Sequence, residues 1–283
     1  MSVRTATDGW AVGRWANPAD DARFDMLAER WNGITWTRVP APGVLHFDET
    51  ALAVSASGAA DAWAVGYTRV ISNRGTRTIA FHWNGTAWSI VATPSTSGRD
   101  DRLSGVVDFG ATNAWAAGAG NNQPLVELWD GTSWQPVALP ALGPSGSTGG
   151  LTSLSAVSAS DIWAMGTVSS LSGTTVVSTA VTVHYDGVRW TAVPVAKVSG
   201  SYLLRSISAD SPTDAWMVGE TIPSPGLVNG KTLTEHWDGT AWRVVASPTP
   251  GFTPNLTGVS ARAPGDAWAV GSGSGTGLVL RNG

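Results

Sequence analysis

The 283-residue sequence contains no cysteine, and charged residues make up only 13% of it. The absence of cysteine excludes disulfide bonds and thiolate metal sites. The formal net charge of -4 leaves no basic excess to neutralise phosphates, so we expect no nucleic-acid partner. No apolar run approaches the roughly 18 residues needed to span a bilayer, so we expect no membrane partner.

The sequence also lacks the common short motifs of catalysis and cofactor binding. A nucleophile elbow, a phosphate-binding loop, a dinucleotide fingerprint and zinc-ligand spacings are all missing, so no cofactor is expected. The N-terminal residues Met1 to Arg4 lack the apolar core of a secretory signal. We therefore expect the chain to be cytosolic, or else secreted with its leader removed.

What the sequence has in abundance is tryptophan, with 16 residues against 5 phenylalanines and 3 tyrosines. The stretch Asp61–Gly66, which reads Asp-Ala-Trp-Ala-Val-Gly, occurs six times with small variations. Its tryptophans follow one another at intervals of about 50 residues, and they are Trp10, Trp63, Trp115, Trp163, Trp216 and Trp268. A fixed period of this size indicates a repeat architecture.

Each repeat predicts four short antiparallel strands. In the fourth repeat these are Leu154–Ala159, Asp161–Gly166, Ala180–Tyr185 and Trp190–Pro194, with the turn Asp186-Gly187 before the last. Asp-Gly or Asn-Gly between two strand-like runs indicates a hairpin, because these residues tolerate positive φ. Proline and glycine are too frequent for helices, and the alternation has period two. Four strands repeated about six times predict an all-β, six-bladed β-propeller.

We expect a single propeller domain over residues 1–283. Its predicted blades cover approximately residues 1–44, 45–98, 99–146, 147–198, 199–250 and 251–283. The sixth repeat stops at Gly283, directly after its third strand, so we expect this blade to lack its outer strand. The alternatives are a fragment of a larger ring and a blade completed by another chain. An open third strand is a sticky edge, so self-association through the sixth blade is one option.

The motifs of each repeat follow a fixed order. Leu-x-x-Val-Ser-Ala is followed by Asp-x-Trp-Ala-Val-Gly and then by Trp-Asp-Gly-Thr-x-Trp, as at Trp237–Trp242. Over nearly the whole chain this order resembles that of Asp-box and photosystem II assembly-factor propellers. The leading Ser-x-Asp of an Asp-box is absent, as are the double glycine of kelch repeats and the Gly-His of WD repeats. The resemblance therefore implies a propeller fold and no particular activity.

The side chains that recur in every repeat are predicted to be structural. A tryptophan repeated among small residues suits the wedge between neighbouring twisted sheets better than a ligand site. The aspartates before these tryptophans are expected to accept hydrogen bonds from turn amides. The recurring third-strand histidines, His82, His184 and His236, belong to different blades, so no metal site is expected.

Function is predicted on the face whose loops differ between repeats, formed by the loops joining second to third strands and each blade to the next. Polar and ionisable residues gather there above the first three blades. The predicted ligand-binding residues are Trp15, Phe24, Tyr67, Arg69, Arg99, Arg102, Asn122 and Tyr202. The candidate acid–base groups are His46, Asp48, Glu49, Asp100 and Asp101.

Three functions remain open on this variable-loop face. In the binding hypothesis, aromatic rings and planar polar groups hold a small polar molecule or carbohydrate, and this is the function we predict. In the enzyme hypothesis, two carboxylates act as acid and base, with Arg99 or Arg102 stabilising charge and His46 as an alternative proton carrier. In the scaffold hypothesis, an exposed apolar patch binds a protein. A solvated loop with its own ion pairs would equally explain the Arg99–Arg102 charges.

Overall fold

The computed structural model describes residues 1–17, 23–44, 47–70, 75–94, 100–222 and 230–282. Within these ranges the chain forms strands β1 to β23 and no helix. The strands make six antiparallel sheets, five with four strands and one with three. The predicted all-β, six-bladed β-propeller with a three-stranded last blade is therefore confirmed.

The chain divides into two compact units, Met1–Ala138 and Leu139–Gly283, which we call the first and second unit. Each unit contains three blades. The assignment of residues 1–283 to a single domain, with the blade limits given above, stays a prediction.

In the first unit, the three blades follow one another along the chain. Blade one consists of β1 (Ser2–Thr5), β2 (Asp8–Ala16), β3 (Phe24–Trp31) and β4 (Trp36–Arg38). Blade two consists of β5 (Phe47–Gly58), β6 (Asp61–Val70), β7 (Thr76–Trp83) and β8 (Trp88–Val91). Blade three consists of β9 (Arg102–Asp108), β10 (Ala114–Gly120), β11 (Gln123–Trp129) and β12 (Trp134–Pro136).

In the second unit, the same order repeats. Blade four consists of β13 (Thr148–Ser158), β14 (Asp161–Ser172), β15 (Thr175–Tyr185) and β16 (Trp190–Val193). Blade five consists of β17 (Ser201–Ser211), β18 (Asp214–Ile222), β19 (Thr232–Trp237) and β20 (Trp242–Val245). Blade six consists of β21 (Asn255–Ala263), β22 (Asp266–Gly273) and β23 (Thr276–Asn282).

The Asp-Gly and Asn-Gly turns between third and fourth strands form as predicted. The two residues of each turn have different roles, although both were expected to tolerate positive φ. Positive φ falls on the glycine alone, as at Gly131, where φ is 96°. The carboxylate of Asp130 instead accepts hydrogen bonds from the amides of Thr132 (2.8 Å) and Ser133 (2.9 Å). The acidic or amide residue thus closes the turn with its side chain, as in an Asx turn.

The glycine that ends the repeated Asp-x-Trp-Ala-Val-Gly motif is required by a close backbone approach. A Cβ at Gly66 would lie 1.9 Å from the carbonyl oxygen of Thr50 on the neighbouring first strand. The strand register shifts at this point, between Ala51 and Ala53. A bulge therefore presses the two strands together where only glycine fits.

The aspartate that opens the motif contacts a histidine side chain, which differs from the predicted hydrogen bonds to turn amides. In place of turn amides, Asp61 Oδ1 contacts Nε2 of His82 on the third strand at 2.7 Å. The His82 ring in turn lies 4.5 Å from the ring of Trp63. The same aspartate–histidine pair forms at Asp161–His184 and Asp214–His236. The recurring histidines therefore join the second strand to the third within a blade.

The recurring tryptophans Trp10, Trp63 and Trp163 fill the space between neighbouring blades, as predicted, whereas Trp268 of blade six is 39% exposed. In the first unit, the ring of Trp63 in blade two lies 4.8 Å from that of Trp129 and 4.9 Å from that of Trp134, both in blade three. Trp63 is fully buried. In the second unit, Trp163 makes the same pair of contacts with Trp237 and Trp242. Tilted and edge-on arrangements of this kind are favourable beyond the apolar area that they bury.

The serines of the Leu-x-x-Val-Ser-Ala motif connect the inner strands of successive blades. Ser55 Oγ accepts a hydrogen bond from the Asp108 amide (3.1 Å), and Ser155 Oγ accepts one from the Ala209 amide (2.9 Å). Hydroxyl groups on a crowded inner strand thus bond backbone groups that the neighbouring sheet leaves unpaired. Blade two is therefore held to blade three, and blade four to blade five, both by rings and by hydrogen bonds.

Replacing a cluster tryptophan should destabilise the protein more than replacing an exposed one. Trp63→Ala removes a fully buried ring, so we expect it to lower the free energy of unfolding by about 3–5 kcal/mol. The matched control is Trp36→Ala, since Trp36 is 39% exposed, and its expected cost is about 1–2 kcal/mol. Urea unfolding of both variants measures the difference, and equal losses would contradict the packing role of the cluster.

Candidate functional site

Asp48 is the centre of the polar groups on the variable-loop face of the first unit. It lies at the start of β5 and is almost completely buried. Its Oδ1 accepts a hydrogen bond from the Phe24 amide (3.2 Å), and its Oδ2 lies 3.3 Å from a guanidinium nitrogen of Arg69. The Arg69 side chain remains 46% exposed. The structure therefore brings three predicted residues of blades one and two together.

Two of the predicted aromatic residues, Phe24 and Trp15, each contact an arginine side chain. The Arg14 guanidinium lies over the half-buried Phe24 ring, 4.5 Å from its centroid. The Arg38 guanidinium lies 3.3 Å from the centroid of Trp15. Such cation–π contacts occupy one face of each ring. Tyr67 is half-buried on β6, so its side chain remains partly accessible.

Glu49 follows Asp48 in β5 but is fully buried. One of its carboxylate oxygens accepts a hydrogen bond from the Val44 amide, and the other has no partner among the described residues. Burial raises the pKa of Glu49, the Val44 bond lowers it, and the negative charge of Asp25 raises it further. A carboxylate in this position is not accessible to a substrate.

The polar groups of blade three separate into one buried and three accessible side chains. Asp101 is fully buried, and its Oδ1 accepts a hydrogen bond from the Asn121 amide (2.7 Å). Asp100 and Asn122 are exposed, with φ of 64° and 58° respectively. Arg102, at the start of β9, is half-buried. Asp101 therefore fixes the loop that presents Asn122.

Three predicted site residues are not among the described groups of the first unit. His46 and Arg99 lie outside the described residues. Tyr202 belongs to the second unit, where it is half-buried against the hydrophobic core of blades four and five. Burial raises the pKa of the Tyr202 phenol, and the carboxylate of Glu235 acts in the same direction. Its role as a ligand-binding residue stays a prediction, as do the roles assigned to the acid–base candidates.

The sequence analysis missed two buried acids in third strands. Glu127 and Glu235 are fully buried, and the described residues offer no hydrogen-bond partner to either oxygen of Glu127. Burial raises the pKa of Glu127 to about 7, helped by the negative charge of Asp101, and burial raises the pKa of Glu235 to about 7. The sequence does contain a signal for these buried acids. Blades two and four carry the apolar residues Phe81 and Val183 at this position, so a glutamate there departs from the repeat.

Two properties of the described part of the chain concern metal ions and membranes. No group of three or more histidine, aspartate or glutamate side chains there is arranged to hold a metal ion. The same residues include no helix long and apolar enough to cross a bilayer.

No family model and no curated protein sequence matches this chain. Among solved structures, YCF48 bound to D1 peptide is similar with a TM-score of 0.59 and 18% identity, over 100% of this chain and 76% of that one. A PL25 polysaccharide lyase that acts on ulvan, as its name states, is similar with a TM-score of 0.60 and 10% identity, over 97% and 81% of the two chains.

A third similar structure is an α-L-arabinofuranosidase from Fusarium graminearum in complex with an iminosugar inhibitor. Its TM-score is 0.54 and its identity 11%, over 96% of this chain and 90% of that one. At such low identities these likenesses establish the shared propeller fold alone. They agree with the resemblance noted from the repeat motifs.

The buried glutamates should make stability depend on pH. Because the folded-state pKa of Glu127 is raised from 4.5 to about 7, its protonated form stabilises the fold below pH 4.5. This contribution is lost as the pH rises through about 7. Glu127→Gln keeps the neutral form, so at a pH of about 8 we expect its free energy of unfolding to exceed that of the unmodified protein by up to about 3 kcal/mol.

Urea unfolding between a pH of about 4 and about 8 measures this effect. The matched control is Glu29→Gln, because Glu29 holds the same third-strand position in blade one but is only half-buried. We expect the control to leave the pH dependence nearly unchanged. A Glu127→Gln variant with the same pH dependence as the unmodified protein would show that the fold does not raise the pKa of this carboxyl group.

Proposed function

We propose that this protein is a binding propeller that recognises a carbohydrate or another small polar ligand on the variable-loop face of its first unit. The observation that carries the proposal is the position of Arg69, whose guanidinium is held by the buried carboxylate of Asp48 while nearly half of the side chain remains exposed. An arginine fixed in this way keeps further N–H donors for a ligand.

Fixing the arginine in advance favours binding. Asp48 is itself held by the Phe24 amide, so the pair is connected to the backbone of blade one. A side chain that is already ordered loses less conformational entropy when a ligand arrives. Its planar donor groups match the hydroxyl and carboxylate oxygens of neutral and acidic sugars.

The accessible groups on the variable-loop face of the first unit have the chemistry of a polar-ligand site. Tyr67 and Phe24 supply partly accessible aromatic surface, and Asn122 supplies an exposed amide with both a donor and an acceptor. Binding sites combine apolar walls with a few placed polar groups. Two structurally similar proteins named above act on or bind carbohydrate-like molecules, which supports this ligand class for a chain of the same fold.

The burial of the carboxylates favours binding over catalysis. An acid–base pair must reach the scissile bond, and glycosidase carboxyl groups flank it on both sides. Asp48, Glu49 and Asp101 are buried and accept backbone hydrogen bonds. Of the described acid candidates only Asp100 is exposed. An enzyme therefore remains the alternative hypothesis, and the glycan experiment described next tests it as well.

The test is binding of a panel of neutral, uronic and sulfated oligosaccharides, followed by calorimetry on each positive glycan. We expect Arg69→Ala to weaken binding by about ten-fold or more. Arg69→Lys keeps the charge but loses the planar guanidinium, so we expect its affinity to lie between those of Arg69→Ala and the unmodified protein. The matched control is Arg243→Ala, which removes an exposed arginine that is paired with Asp238 at a repeated turn. The control should bind as the unmodified protein does.

Two results would contradict the proposal. One is the absence of binding to every member of the panel, which would contradict carbohydrate as the ligand class. The other is turnover of a glycan that Asp48→Asn or Asp100→Asn reduces by about 10²–10⁴-fold, which would establish the enzyme. Thermal unfolding of each variant separates a lost ligand contact from a lost fold.

A further inference from the structure

A cavity lies between blades five and six on the variable-loop face of the second unit. It has about 480 Å³ of empty space, and its lining includes the end of β18 and the segment that leads into β21. The polar lining residues are Glu220, Thr221, Thr253 and Asn255, and they surround the buried Pro254. Small-molecule sites commonly occupy about 300–1,000 Å³, so the cavity is large enough for a small ligand.

Glu220 enters this cavity because of its position in the repeat. It follows Gly219, the last residue of the repeated motif, and so holds in blade five the position that Tyr67 holds in blade two. Val218, two residues earlier on the same side of β18, belongs to one hydrophobic cluster with Leu256 of blade six. Alternation along the strand therefore directs Glu220 toward blade six as well.

The Glu220 carboxylate is held and neutralised by an arginine. Its two oxygens accept hydrogen bonds from Nε of Arg205 at 3.1 and 2.8 Å, and a terminal nitrogen of Arg205 also donates to it. A carboxylate offers roughly four acceptor positions, so Glu220 can still accept a hydrogen bond from a ligand. The charges of this pair cancel and the other described lining residues are uncharged, so the cavity carries no net charge.

Two uncharged side chains supply hydrogen-bond donors to the same cavity. The Oδ1 atom of Asn255 accepts a hydrogen bond from Ser272 Oγ (3.3 Å), and no described residue accepts one from its amide nitrogen, which carries two N–H donors. The Thr221 hydroxyl oxygen accepts a hydrogen bond from the Lys231 amide (2.9 Å), so its O–H can still donate. The cavity therefore offers donors and acceptors side by side.

The backbone that borders the cavity on the side of blade six is strained. Thr253 has a φ of 47°, which is unusual for a β-branched residue. The preceding residue, Phe252, holds the loop in place: its amide donates to Ser274 Oγ (2.7 Å), and its carbonyl oxygen accepts from the Ser274 amide (3.0 Å). Backbone strain that the surrounding structure maintains is typical of ligand-binding segments.

We propose that this cavity is a second ligand site, which binds a neutral polyhydroxy molecule of the size of a mono- or disaccharide. A hydroxyl group both donates and accepts hydrogen bonds, so it matches a lining in which Glu220 accepts and Asn255 donates. The absence of net charge favours a neutral ligand over an ionic one. The site shares no residue with the group around Arg69 and lies in the other unit, so it does not depend on the function proposed above.

Titration of the intact, isotope-labelled chain with glycerol, myo-inositol and maltose, followed by two-dimensional NMR, tests the site. We expect saturable shifts of the Thr221 amide signal with at least one of these polyols. Asn255→Ala should weaken that binding by about ten-fold or more, because it removes both N–H donors. The matched control is Thr257→Ala, which also removes one side-chain hydrogen bond from β21 to β22 but does not line the cavity. It should bind as the unmodified protein does.

Two more variants make the test decisive, and thermal unfolding shows whether each variant is folded. Glu220→Gln keeps the shape of the side chain but loses the charged acceptor, so we expect it to weaken binding as well. Arg69→Ala should leave the Thr221 shifts unchanged. Three results would overturn the proposal: no saturable shift with any of the three polyols, full affinity in folded Asn255→Ala and Glu220→Gln, or loss of the shifts in Arg69→Ala. The last result would assign the binding to the first unit.

Discussion

The packing of tryptophan rings between neighbouring blades is the interaction on which this structure depends. Twisted sheets packed face to face leave a gap that widens away from the inner strands, and small side chains cannot fill it. Three rings from two blades fill it around Trp63, and three more around Trp163. The inner strands can then carry small residues such as Ser55 and Ser155, whose hydroxyls accept hydrogen bonds from the backbone of the next blade.

The same interior accommodates buried acids. Glu127 and Glu235 occupy third-strand positions that carry Phe81 and Val183 in other blades, so the repeat does not need a carboxyl group there. An ionised carboxylate without full hydrogen bonding is costly to bury, and burial accordingly raises the pKa of both groups to about 7. We expect these residues to make the stability of the propeller depend on pH, and the repeated motifs do not explain their presence.

The buried acidic residues on the variable-loop face of the first unit hold neighbouring groups in place. Asp48 connects the Phe24 amide to Arg69, and Asp101 holds the Asn121 amide. Three of the acid–base candidates, Asp48, Glu49 and Asp101, are therefore buried, while Arg69 and Asn122 remain accessible. This division supports recognition of a polar ligand more than chemical conversion of one.

The sequence by itself determined the blade count, the four strands of the first five blades, the Asp-Gly turns and the packing role of Trp63, because all of these follow from local patterns that repeat. It also grouped Phe24, Asp48 and Arg69 on one face. Only the tertiary structure decided that Asp61 bonds His82, that Asp48 and Glu49 are buried, and that Glu127 is enclosed. Burial and side-chain partners depend on the neighbouring blade, and a pattern within one repeat does not contain that information.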